Sequence, residues 1–228
     1  MKALLYKEFK LAMHPICYVF IFTFPLMILI PGYPIDIGFI YVLSCYPILF
    51  LGANKGQQSN DLLYSVLLPV RKKDIVLARI FTVIFMQVAF ILTQSALWPV
   101  ANILHNFMVE SGAALEEIDN FGIALNGFVS VVAIAVIGFA IADLIFFNVY
   151  YKNGKSIVSS TLLTILGFIV YLGTISIALP YAIPPFKAFL EGPIWIQFLL
   201  LLGAVLISAG LHYLVYKTSS KRLESVDL

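Results

Sequence analysis

The residues with the chemistry to act on a substrate or ion are few, and each demands a partner at a particular spacing. Glu116-Glu117 is a carboxylate pair of the kind that serves metallohydrolases, but no His or Arg follows at helical ligand spacing. His14, His105 and His212 stand on separate predicted elements, and zinc needs three or four convergent ligands, so no metal site is expected. No Ser-His or Cys-His arrangement suggests an activated nucleophile. Cys17 and Cys45 both fall in apolar runs and read as small buried side chains rather than a disulfide framework. The chain also lacks a GxxxxGK[ST] phosphate loop, so ATP hydrolysis by that chemistry is not expected of it. Catalytic residues are therefore none, and no cofactor is expected on this chain. Asp143 is the acid nearest the interior of an apolar run, where a carboxylate is a functional hypothesis by default. Counting about 20 residues inward from Phe121 puts it near the headgroups, which favours a solvated or paired structural Asp.

The elements that would position these groups are set by composition. Of 228 residues, 61% are hydrophobic and 11% charged, whereas a soluble domain has roughly 45–50% apolar and about 25% charged residues. One core cannot hold that excess, and the charges cluster between long uncharged runs. This predicts an all-α integral membrane protein. A net charge of +2 with the basic residues divided among several loops excludes a phosphate-tracking surface, so no nucleic acid partner is expected.

A bilayer core about 30 Å thick needs about 20 apolar residues in a helix. Six runs qualify, at 15–30, 37–53, 75–98, 121–142 with a continuation to Tyr150, 157–179 and 194–216. Pro31-Gly32-Tyr33-Pro34 joins the first two as a tight hairpin, and both runs are short. The first run resembles a signal peptide in its lysine-rich flank, but no small-residue cleavage site follows it, so it is expected to be retained. With six crossings and a cytoplasmic N-terminus, Lys2, Lys7, Lys10, Lys55, Arg71, Lys72, Lys73, Arg79, Lys152, Lys155, Lys217, Lys221 and Arg222 lie inside. Only Lys187 of the 14 basic residues lies outside. That bias predicts both termini inside, and Glu110, Glu116, Glu117 and Asp119 make an outer loop acidic. The chain reads as one membrane domain, 1–228, without internal repeats. Trp98, Trp195, Tyr213 and Tyr216 fall at span ends, where interfacial aromatics are expected.

Several segments could carry a function. Residues 1–13 place Leu4, Leu5, Phe9 and Ala12 near one helical face and Lys2, Lys7 and Lys10 toward the other. They predict either an interfacial amphipathic helix or a plain anchoring flank, with Pro15 marking the turn into the first span. Between the second and third spans, Ser59, Asn60 and Asp61 open a short helix whose Leu62, Leu63, Val66 and Leu67 form one apolar stripe before Pro69. Such a stripe needs a partner, either the bilayer surface or a protein. Gln87, Gln94, Asn126 and Ser130 are polar residues of spans, suited to a transport pathway or to interhelical hydrogen bonds. The outer stretch 179–193 is apolar but broken by prolines, and Phe186 and Phe189 in it are candidates for an outer gate or a surface loop.

Asn60-Asp-Leu-Leu-Tyr-Ser-Val-Leu-Leu-Pro-Val-Arg-Lys-Lys-Asp-Ile-Val-Leu-Ala-Arg79 resembles the segment after the second span of ABC-2 type permeases, the membrane subunits of one class of ATP-binding-cassette exporters. The Met-Lys-Ala-Leu-Leu-Tyr-Lys-Glu-Phe start is similar to that family's N-terminal interfacial helix. The resemblance implies a coupling helix, with Asn60, Asp61, Leu62, Leu63, Tyr64, Val66 and Leu67 docking on a separate ATPase and Lys152 and Lys155 making a smaller second contact. It implies two copies of that ATPase, which would bind the ATP and Mg, and a second permease in a homodimer or heterodimer. Within the family the chain looks nearest to exporters of phenol-soluble modulins and other antimicrobial peptides in a bacterial cytoplasmic membrane, so the implied cargo is an amphipathic or hydrophobic peptide. The competing expectations are a gradient-driven transporter or channel, and a membrane immunity or sensor subunit. The transporter is disfavoured because the sequence offers no mid-membrane ionisable pair.

Overall fold

A computed structural model of the chain describes residues 2–12, 15–30, 37–43, 45–47, 70–111, 123, 125–153 and 157–224. Among them no strand occurs. The helices are α1 (Lys2–Lys7), α2 (Pro15–Thr23), α3 (Ile37–Leu43), α4 (Lys72–Glu110), α5 (Phe128–Asn153), α6 (Ile157–Leu172), α7 (Leu179–Ala182), α8 (Pro184–Leu190) and α9 (Ile194–Glu224). Four helical stretches are long and apolar enough to cross a membrane: 72–108, 125–152, 157–182 and 194–224. A fifth is reached if the bent pair 4–10 and 15–29 counts as one span. The architecture is compatible with a multi-pass membrane protein.

Local chemistry explains where the helices depart from the hydropathy pattern. Helix α2 tightens into a 3₁₀ stretch over Phe24–Leu29, with Pro25 at its start. Proline has no N–H to give to the α-helical ladder, so the change of helix type falls there. The two pieces together are about 25 Å long, a little less than a bilayer core. The second predicted span begins as α3 and the helical turn at 45–47; its remainder to Ala53 lies outside the described residues. Helix α4 runs on past the predicted end at Trp98, through Pro99, to Glu110. Helix α5 starts at Phe128, not Phe121, after a 3₁₀ turn at Leu125–Gly127. Beyond α6 the helix widens into a π stretch at Gly173–Ala178, just before Pro180. Helix α9 continues two turns past Tyr216 to Glu224.

Pairs of contacting side chains give the helix directions. Trp98 Nε1 donates to the Leu125 carbonyl (3.0 Å) at one end of the bundle, and Arg79 Nη1 to the Tyr150 hydroxyl (3.2 Å) at the other, so α4 and α5 are antiparallel. Gln197 donates to the Asn126 carbonyl while Arg222 donates to the Asn148 carbonyl, so α9 runs parallel to α5. Helix α6 is antiparallel to α5: Phe168 stacks on Phe139, and Tyr171 reaches the Ile134 carbonyl. Lys72, Lys152, Lys217 and Lys221 thus gather at one end, called here the basic end. Helix α1 joins them there: Leu4 packs on Ile75 and Ala78, Phe9 on Phe85, and Glu8 pairs with Arg79 at 3.8 Å.

The core is aromatic. Phe39 of α3 meets Phe90 of α4 and Phe139 of α5, and Phe139 stacks on Phe168 of α6 at 5.2 Å. Helices α4 and α5 are the buried ones, whereas α6 and α9 turn broad apolar faces outward, including Leu162, Leu166, Leu202 and Leu206. In water such faces would not be tolerated; against lipid tails they are the natural surface.

Candidate functional site

The described residues contain a polar cluster deep in the bundle, about 12 Å along α4 from Arg79 toward the opposite end. Its centre is Asp143, which is 0% exposed. The shifted start of α5 explains why: counted from Phe128 instead of Phe121, Asp143 lies well within the apolar length of the helix and nine residues short of Lys152. Of the readings left open for it by the sequence, solvated or paired, the structure has the paired one.

Three elements supply its surroundings. From the turn after α3, the Tyr46 hydroxyl donates to Asp143 Oδ1. From α4, Gln87 Nε2 lies 3.1 Å from each carboxylate oxygen and 2.7 Å from the Tyr46 hydroxyl. From α9, His212 Nε2 is 2.9 Å from Asp143 Oδ2. The other ring nitrogen of His212, Nδ1, lies 2.8 Å from the Ser208 carbonyl oxygen and 3.2 Å from the Ser208 hydroxyl. A buried carboxylate is tolerated only when paired and hydrogen-bonded, and here both oxygens are served by donors from three directions. Chemically, the cluster can hold and exchange a proton or fasten helices. Among the described residues no three His, Cys, Asp or Glu side chains converge as a metal site would require.

The residues singled out from sequence fall in several places. Gln87 belongs to the cluster. Gln94, two turns further along α4, is buried in the packed core, where a Cβ added to Gly38 would stand 3.4 Å from its Nε2. Ser130 donates to the Leu190 carbonyl at 2.6 Å, and Asn126 offers its backbone carbonyl to Gln197 at the same end. The four pathway candidates are therefore not brought together; two of them fasten α8 and the start of α9 to α5. Phe186 is half-buried against the core, and Phe189 points outward at 47% exposure. Lys152 is exposed at the end of α5. Asn60, Asp61, Leu62, Leu63, Tyr64, Val66, Leu67 and Lys155 lie outside the described residues.

Tyr46 and His212 were not legible as site residues. Tyr46 and Asp143 are 97 positions apart, and His212 and Asp143 are 69 apart, so no local spacing links them. The available signal was compositional: Asp143 and His212 each interrupt an otherwise uncharged run.

A second polar group sits at the basic end. Glu8 and Arg79 are both at least nine-tenths buried, and Arg79 also reaches Tyr150. No family model matches the chain, and no curated protein or solved structure matches it either.

Proposed function

We propose that this chain is the membrane permease subunit of an ABC-2 type exporter, with six spans, both termini cytoplasmic, and a separate ATPase as its motor. The observation that carries the reading is the packing of α1 on the start of α4. The two stretches that resemble the family, Met1–Phe9 and Asn60–Arg79, meet there: Leu4 lies on Ile75 and Ala78, and Glu8 pairs with Arg79. The amphipathic N-terminal helix and the third span thus form one unit at the basic end. The segment 4–10 is also bent by 72° from 15–29, as an interfacial helix leading into a span would be.

In this reading the 60–68 helix seats its Leu62, Leu63, Val66 and Leu67 stripe on the ATPase, with Asp61 near the helix N-terminus, where its charge is favoured. Peptide cargo moves along the bundle in a bacterial cytoplasmic membrane, and a second permease completes the pathway. Purification of the tagged chain from its native membranes in mild detergent tests the proposal. An ATP-binding-cassette ATPase is expected to co-purify, and to be lost when Leu63→Glu and Leu67→Glu are introduced together while insertion persists. Retention of the ATPase by that variant would overturn the docking assignment; recovery of the folded chain alone would overturn the exporter reading.

A gradient-driven transporter is the second reading. The specific observation favouring it is the Asp143–His212 pair, an ionisable pair within the apolar length of the bundle.

A further inference from the structure

We propose that Asp143 and His212 together hold one proton and that this proton is the latch fastening α9 to the rest of the bundle. The inference rests on the hydrogen-bond geometry of the cluster and not on the ATPase-coupled reading.

The hydrogen-bond roles lead to the proton. Two groups of Ser208 face Nδ1, and the carbonyl, which only accepts, is the closer at 2.8 Å against 3.2 Å for the hydroxyl, which favours a hydrogen on Nδ1. The 2.9 Å contact between His212 Nε2 and Asp143 Oδ2 then needs a second hydrogen, placed on either atom. In both placements the pair carries one proton more than a neutral ring beside an ionised carboxylate. The arrangement is neutral as a whole, which is what a site without water demands of a buried acid.

Other groups do not substitute for this proton. Facing Asp143 are Tyr46, with Cys45 beside it, from the turn after α3, Gln87 from α4 and His212 from α9. Tyr46 and Gln87 offer neutral hydrogens only. Helix α6, on another side of α5, carries no charged residue, and its Tyr171 hydroxyl is taken by the Ile134 carbonyl. Toward the basic end, Arg222 donates to the Asn148 carbonyl, and Glu8 lies 3.8 Å from both Lys7 and Arg79.

The attachment of α9 makes the proton a latch. That helix buries Gln197, Ala204, Val215, Ser219, Ser220 and Leu223, holds His212 half-buried between them, and turns Leu202, Leu206 and Tyr213 outward. Half-buried His212 carries the contact to the Asp143 carboxylate, while Gln197 and Arg222 donate to backbone carbonyls of Asn126 and Asn148. Loss of the proton leaves an ionised Asp143 facing a neutral ring, and relief comes from moving α9 away to admit water.

Two measurements on the full chain in phosphatidylcholine vesicles test this. In a background of His14→Gln and His105→Gln, nitrogen-15 and carbon-13 magnetic resonance at neutral pH reads His212 alone. Expected are two N–H signals from the ring, or one on Nδ1 together with a protonated carboxyl carbon at Asp143. A neutral ring with its hydrogen on Nε2 and an ionised Asp143 would overturn the proposal. In a Cys17→Ala, Cys45→Ala background, nitroxides on Lys152→Cys and Lys221→Cys report the distance between α5 and α9. A lengthening of about 1–2 Å or more is expected once the buffer is alkaline enough to strip the ring signal, in keeping with helix shifts at bistable interfaces. An unchanged distance through that loss would remove the latch.

Discussion

Asp143 shows how strongly one side chain depends on where its helix begins. Starting the fourth span at Phe121 placed it among headgroups; the actual start at Phe128 carries it inward, and burial then forces partners upon it. The Asn126-Gly127 pair, a weak helix interior, was the sequence mark of that later start. Its partners were beyond sequence reasoning, because a contact across 69 or 97 positions obeys no local period. Replacement of Asp143 by Ala leaves Tyr46, Gln87 and His212 without their common acceptor. A destabilisation of about 3–5 kcal/mol is expected for breaking a buried pair, seen as a lower thermal midpoint in detergent. Asp143→Asn, which keeps the shape, is expected to cost less.

At the scale of elements, close approach of helices is set by single small residues. A Cβ on Gly138 of α5 would stand 2.8 Å from Phe168 Cε2 and 2.9 Å from Tyr171 Cε1, both on α6. Gly138→Ala is therefore expected to destabilise by about 1–3 kcal/mol through overpacking. Gly210→Ala on the outward side of α9, where no atom lies within 4 Å, is the matched neutral control. Helix α1 depends on Glu8 in a similar way. Glu8→Ala removes the carboxylate that lies 3.8 Å from the buried Arg79 guanidinium. Limited proteolysis is expected to release the first residues of that variant several-fold faster than those of the parent. Hydropathy located the long helices but misplaced their ends by two to three turns, since α4 continues through Pro99 into a mixed apolar and polar stretch and α9 into the charged residues Lys217, Lys221 and Arg222. Proline marked the changes of helix type more faithfully, at Pro25 and just before Pro180.

For the whole molecule, the gathering of α1 and the C-terminal turns of α9 at the basic end puts both ends of the described chain on one face. With 13 of 14 basic residues assigned inside, that face is expected to be cytoplasmic. Cysteines placed singly at Lys2 and Lys221, in a background without Cys17 and Cys45, are expected to react with a membrane-impermeant maleimide only after cells are opened. Labelling of either from intact cells would reverse the orientation. Composition alone made the membrane class legible, because no burial scheme hides 61% apolar residues in water.

Helix α4, 39 residues long, measures about 58 Å, nearly twice the thickness of a bilayer core. Its far end is not polar: Ile103, Leu104 and Phe107 are exposed there, beyond the kink-prone Pro99. Water is a poor medium for those residues, so the helix must lean or lay its last turns along the lipid headgroups. The thickness of the host membrane thereby becomes a mechanical input to the bundle, since each ångström of mismatch shifts the tilt of the helix that carries Gln87. In vesicles of increasing acyl-chain length, Trp98 emission, read in a Trp195→Phe background, is expected to move progressively to shorter wavelength as thicker bilayers draw the overhang into hydrocarbon.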